Sequence, residues 1–128
     1  MTIVYIGVAG IFGALARYML SLAWNPASPS AFPWGTLICN FLGCLLLGFL
    51  AFADWLPLPL KLRSALTTGF IGSFTTFSTF SYETVSMLKL GHFFLAALYI
   101  GGSLWGGLAF TWLGIRLGET ARSGGHPS

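Results

Sequence analysis

The chain has 128 residues, which suits one compact unit and leaves no room for a second. Hydrophobic residues make up 55% of it and charged residues only 7%, with a mean hydropathy of +0.81, so a water-soluble surface is excluded and the chain belongs in lipid. Its net charge of +3 comes from six basic residues spread singly, which argues against a nucleic-acid footprint.

A helix needs about 20 residues to cross the hydrocarbon core, and the chain divides into four such segments. The first is predicted from about Ile3 to Ala23. It stops at Trp24-Asn25-Pro26, ahead of a Pro/Ser-rich stretch reaching Pro33. Ala14-Leu15-Ala16 resembles a signal cleavage site, but no Lys or Arg precedes the apolar run, so this helix is expected to be retained. Trp24 and Trp34 bracket the loop as interfacial anchors. The second helix is predicted from about Gly35 to Ala53, ending at Asp54, with Pro57, Pro59, Lys61 and Arg63 marking a polar turn.

The third segment, about Ser64 to Leu88, is unusual, because eight Ser/Thr hydroxyls fall between Thr67 and Ser81, interleaved with Gly69 and Gly72. Irregular backbone at membrane depth is tolerated only where protein or a watery cavity covers it, so a helix broken at its centre and facing inward is expected. The fourth helix is predicted from about His92 to Leu117. A tail from Gly118 to Ser128, with Arg122, Gly124, Gly125 and Pro127, is expected to be disordered. With four spans both termini share a side. That side holds Lys61, Arg63, Arg116 and Arg122 against Arg17 and Lys89 opposite, a faint bias that specifies orientation weakly.

Catalytic motifs are missing: there is no metalloprotease helix, no nucleophile elbow and no phosphate-cradling glycine loop. Glu83 is the only carboxylate within a span, and one carboxylate is no acid/base dyad, so no enzyme is expected. Cys39 and Cys44 lie five residues apart in an apolar run, a spacing that suits neither a disulfide nor zinc, and are expected to be buried free thiols. His92 and His126 offer too few ligands for a metal.

Polar stripes remain. Thr36, Asn40 and Gly43 share one face of the second helix, and Tyr99, Ser103 and Gly106 one face of the fourth; the third offers Phe77 and Phe80. Helix packing explains an isolated stripe of this kind, as the Gly102/Gly106 pair does for close approach. A central cluster of hydroxyls suits a pathway better. Hydroxyls, the Asn40 amide and the Tyr99 phenol can all donate, and phenyl edges carry the positive end of the ring quadrupole, so the conducted species is expected to be a small anion. Arg17 adds positive charge near a possible entrance, or snorkels to the headgroups.

Gly35-Thr36-Leu37 with Asn40 and Gly43, then Thr67-Thr68-Gly69-Phe70 and Gly72 leading into Thr75-Thr76-Phe77-Ser78-Thr79-Phe80-Ser81 with Glu83 behind, strongly resemble the small Fluc (CrcB-type) fluoride channels. The resemblance covers nearly the whole chain. It implies a passive, fluoride-specific channel that lowers cytoplasmic fluoride, built as an antiparallel, dual-topology homodimer in the plasma (inner) membrane of a prokaryote, in contact with lipid. By motif position the fluoride pore takes Asn40, Phe77, Ser78, Thr79, Phe80, Tyr99 and Ser103, with Arg17 in a vestibule. The resemblance also implies a structural sodium ion (Na+) at the dimer centre, held by backbone carbonyls of Gly72 and Thr75 and doubled by the two-fold axis. Ser73 and Gly107 depart from the family pattern, the first standing where many relatives carry glycine and the second where some carry serine. A small proton-coupled exporter and a non-transporting assembly subunit are the competing readings, although the first helix lacks the carboxylate that coupling requires.

Overall fold

A computed structural model describes residues 1–25 and 31–123, and all of its regular structure is helical. Helix α1 runs Thr2–Trp24, α2 Trp34–Phe52, α3 Leu60–Ser64, α4 Gly72–Phe74, α5 Phe77–Lys89 and α6 Phe93–Ser123, with a π-helical stretch, Ala65–Ile71, joining α3 to α4. Three helices, Thr2–Trp24, Trp34–Phe52 and Phe93–Ala121, are long and apolar enough to cross a membrane. A helix satisfies every backbone N–H and C=O within itself, which is why apolar runs of this length adopt it in lipid. The pieces from α3 to α5 are individually too short to span.

The helices approach through glycine. A Cβ on Gly114 of α6 would strike the Leu45 carbonyl of α2, and one on Gly48 of α2 would lie 2.5 Å from the Thr111 carbonyl of α6, so the two backbones touch along their length. On the other side, Gly13 of α1 meets the Phe70 carbonyl and Gly69 meets the Ile6 carbonyl, seating α1 against the π-helical stretch. Close backbone approach replaces the hydrophobic effect as the source of cohesion where the solvent is lipid. Of the pair Gly102/Gly106, Gly106 makes room for the Phe41 ring of α2, and Gly102 meets nothing within 4 Å.

Two helix ends differ from the sequence expectation. The third segment starts at Leu60, a turn before Ser64, with Pro59 as its N-cap residue. Arg63 there donates to the Leu50 carbonyl at 2.5 Å and the Ala53 carbonyl at 3.2 Å, tying the turn to the carbonyl end of α2. The last helix continues to Ser123 instead of ending at Leu117, because Gly118 is not a stop. It packs on the end of α2, where a Cβ would come within 2.8 Å of the Phe49 carbonyl, and its own carbonyl accepts from Trp55 Nε1 at 3.0 Å. The disordered tail expected from Gly118 is therefore helical to Ser123. The stop assigned to Pro26, residues 26–30 of the Pro/Ser-rich stretch and the end of the tail with Gly124, Gly125 and Pro127 lie outside the described residues. Between α5 and α6 the turn closes with Gly91 at φ 80 and a His92 N–H to Met87 carbonyl bond of 2.9 Å, a left-handed cap that favours glycine.

Candidate functional site

The chain's polar residues gather where α4 gives way to α5. Thr75 and Thr76 are extended, with φ −83, ψ 156 and φ −150, ψ 122. Three side chains hold them. Thr75 Oγ1 donates back to the Ile71 carbonyl at 2.9 Å, and its methyl packs where Gly43 of α2 has no side chain. Asn40 of α2 grips Thr76 twice: its Nδ2 donates to the Thr76 carbonyl at 3.1 Å and its Oδ1 accepts the Thr76 N–H at 2.8 Å. This amide supplies the pairing that a neighbouring strand would give an extended residue. Thr76 then caps α5, its Oγ1 accepting the Thr79 N–H at 3.1 Å and donating to the Thr79 hydroxyl at 3.1 Å, with Ser78 Oγ at 3.3 Å.

These bonds divert two donors. In an unbroken helix the Thr76 N–H would reach the Gly72 carbonyl and the Thr79 N–H the Thr75 carbonyl. Here the first goes to Asn40 and the second to Thr76 Oγ1. The carbonyls of Gly72 and Thr75 thus lose their helical donors. Hard oxygen dipoles of this kind fit a small monovalent cation. Among the described residues no group of three or more His, Cys, Asp or Glu side chains clusters to hold a metal.

Beside the extended pair lies a cleft of about 480 Å³, whose lining includes Asn40, Thr76, Phe77, Phe80, Ser103 and Cys44. Phe77 is 80% exposed, with its ring centroid 5.8 Å from that of Phe80. Ser103 Oγ is buried with no hydrogen-bond partner among the described residues. Its hydroxyl is free to donate. Among the described residues no carboxylate or cation lines the cleft. A second, smaller recess of about 200 Å³ on the other side of Thr76 is lined by Arg17, Tyr18, Ser21, Thr76 and Thr79.

The expected pore residues therefore divide into groups. Asn40, Phe77, Phe80 and Ser103 share the cleft; Thr79 and Arg17 share the recess; Ser78 is exposed beside Thr76. Tyr99 is fully buried and lines neither. Its ring packs 4.9 Å from Phe80, behind the cleft wall, and its hydroxyl donates to Glu83 Oε2 at 2.9 Å. Cys39 is buried as expected of a free thiol, whereas Cys44 is half-buried and lines the cleft, facing Gly107 across 3.6 Å measured from an ideal Cβ.

Sequence reasoning missed the partners of Glu83. Thr36 Oγ1 donates to Glu83 Oε1 at 2.7 Å, so hydroxyls from two helices hold both carboxylate oxygens. Asn25 in turn contacts Thr36 and the start of α2. Thr36 was visible as a member of the Asn40 stripe, but a link from Asn25, 11 residues away in sequence, leaves no periodic signal.

Comparison with known proteins gives a consistent result. A profile of the family described as "CrcB-like protein, Camphor Resistance (CrcB)" matches residues 4–115. The chain is 47% identical over 119 residues to the fluoride-specific ion channel FluC of Nitratidesulfovibrio vulgaris, covering 91% of this chain and 96% of that one. It is 42% identical over 127 residues to the fluoride-specific ion channel FluC 2 of Geobacillus kaustophilus, covering 98% of each. A third relative, the fluoride-specific ion channel FluC 1 of Bacillus cereus, is 43% identical over 118 residues.

Proposed function

The chain belongs to the CrcB-like family, and from that premise we propose that it is a fluoride-specific channel, conducting passively down the ion's gradient and lowering cytoplasmic fluoride. The observation that carries the reading is the composition of the cleft: phenyl rings at Phe77 and Phe80, an unpartnered hydroxyl at Ser103, an amide at Asn40 and no carboxylate. Fluoride holds its water strongly, so a pore must replace that water with donors that are numerous enough to admit the ion and weak enough to release it. Neutral hydroxyls and ring edges meet both demands, where a buried cation would retain the ion. Chloride is larger and fits a narrow passage of this kind poorly. When HF enters an acid-loaded cell and ionises, the outward gradient it creates drives export.

Further parts of the reading belong to the assembled channel. We take the functional unit as an antiparallel, dual-topology homodimer in a prokaryotic inner membrane, with lipid around it. One protomer leaves Phe77 and much of α1 exposed, including Ile11, Phe12 and Tyr18, so an open cleft wall and an apolar face await a partner or lipid. The interruption between α4 and α5 is read as the break in the third span. The freed carbonyls of Gly72 and Thr75 are the residues that would hold a structural sodium ion; two ligands are few for such an ion, and a two-fold axis doubles them. Such an ion would neutralise the carbonyl dipoles there and fix the breaks. Arg17 at the smaller recess would raise the local anion concentration at an entrance. Thr79 and Ser78 would extend the donor track away from the cleft.

Growth rescue tests the function. Expression of the chain should restore growth to a fluoride-sensitive host in fluoride medium, and Phe80→Ile should abolish the rescue. Equal rescue by an unrelated membrane protein of similar expression would overturn it.

A further inference from the structure

We propose that Asn25, at the end of α1, is a positioning residue for the Phe80 wall of the cleft. Its amide decides where the Thr36 hydroxyl sends its proton, and through that proton it holds Glu83 and Tyr99 in place. The proposal rests on the conducting role given to the cleft above.

The orientation of the Asn25 amide is not free. Its oxygen faces two backbone donors, the Gly35 N–H at 2.8 Å and the Thr36 N–H at 3.3 Å, both in the first turn of α2. Pro33, the residue at the N-cap, has no side-chain acceptor, so Asn25, ten residues before Gly35, caps α2. Gly35 makes room for this, because a Cβ there would stand 2.8 Å from Asn25 Oδ1 and 3.1 Å from the Leu20 carbonyl. With the oxygen so committed, Nδ2 must be the atom facing Thr36 Oγ1, at 3.3 Å, and an amide nitrogen can only donate.

The consequence travels along the chain of bonds. A threonine hydroxyl has one proton, and since this one accepts from Asn25 its proton is directed to Glu83 Oε1 at 2.7 Å. Tyr99 donates to the other carboxylate oxygen at 2.9 Å. The Tyr99 ring backs Phe80 at 4.9 Å, and Phe80 lines the cleft. Four polar side chains, from the C-cap of α1 and from α2, α5 and α6, thus form one directed series, anchored at its far end by the amide of Asn25.

Substitutions can separate the two roles of that amide. Asn25→Asp keeps the capping oxygen, which the dipole at the start of α2 favours, but its second oxygen cannot donate and competes with Glu83 for the Thr36 proton. Asn25→Ala removes cap and donor without adding charge. Thr36→Val removes the hydroxyl and leaves Asn25 in place. Each purified protein is reconstituted in liposomes, fluoride efflux is read with an electrode, and the melting temperature is followed in detergent. Asn25→Asp, which keeps the capping oxygen, should melt above Asn25→Ala yet conduct fluoride roughly tenfold more slowly than the parent protein, the rate equivalent of about one hydrogen bond. Asn25→Ala should be slowed to a similar degree, and adding Asn25→Asp to Thr36→Val should slow efflux by less than about twofold beyond Thr36→Val alone. Parental efflux from Asn25→Asp would show that Asn25 only caps α2, and parental efflux from Asn25→Ala would show that only the added charge matters; either overturns the proposal. Losses that multiply in the double variant overturn it as well. If Thr36→Val has no measurable efflux, Asn25→Ala decides. Failure of the parent protein to conduct fluoride would instead refute the proposed function.

Discussion

Replacing Asn40 separates what its amide does for the backbone from what its neutrality does for an ion. In Asn40→Asp the oxygen can still accept the Thr76 N–H, but the donor to the Thr76 carbonyl becomes a second acceptor. Loss of that bond costs about 1–3 kcal/mol of stability. Asn40→Ala loses both bonds and should be destabilised at least as much. Conduction should part the two variants. A carboxylate about 6 Å from a permeating anion, at an effective dielectric of about 20, adds roughly 3 kcal/mol of repulsion, which corresponds to about a hundredfold in rate. In liposome efflux Asn40→Asp should therefore fall about a hundredfold below Asn40→Ala when both are compared per folded protein. Equal efflux from the two would refute the placement of a permeating anion beside Asn40.

Other substitutions test the parts separately. Thr76→Val removes the oxygen that caps α5 and should cost about 1 kcal/mol, seen as a lowered melting temperature that Thr76→Ser does not reproduce. Gly114→Ala drives a Cβ into the Leu45 carbonyl and to 2.9 Å from the Phe49 nitrogen, and should cost about 1–3 kcal/mol or more through forced separation of α2 and α6, read as a lower melting temperature or loss of monodisperse protein. Phe80→Ile keeps an apolar side chain but removes the ring edge and the packing against Tyr99, and should lower fluoride efflux at least about tenfold with the protein still folded.

The membrane class and the three long helices were legible in the chain because lipid imposes one demand, an apolar run with its backbone bonded internally, and composition records it directly. The ends of those helices were less legible. Gly118 reads as a stop in isolation, but in the fold it is the contact that lets α6 run on beside the end of α2, and only the neighbour distinguishes the two roles. At the site, residue types pointed to neutral donors and phenyl rings, while their arrangement did not follow from spacing. Asn40 and Ser103 came together with Phe77 and Phe80, but Tyr99, one helical turn from Ser103, turned inward to Glu83. A phenol at that register can face a cleft or a buried carboxylate, and periodicity does not choose between them. The bond from Asn25 to Thr36 joins the ends of two different helices, and the direction of a hydroxyl proton is a property of partners, so neither could be read before the helices were placed.

The most direct test of the central claim is anion efflux from liposomes containing the purified protein, with fluoride and chloride measured in parallel. A fluoride channel with neutral donors and ring edges predicts rapid fluoride efflux that follows its gradient, and chloride efflux no faster than from protein-free liposomes. Absence of fluoride efflux, or chloride efflux at an equal rate, would contradict it.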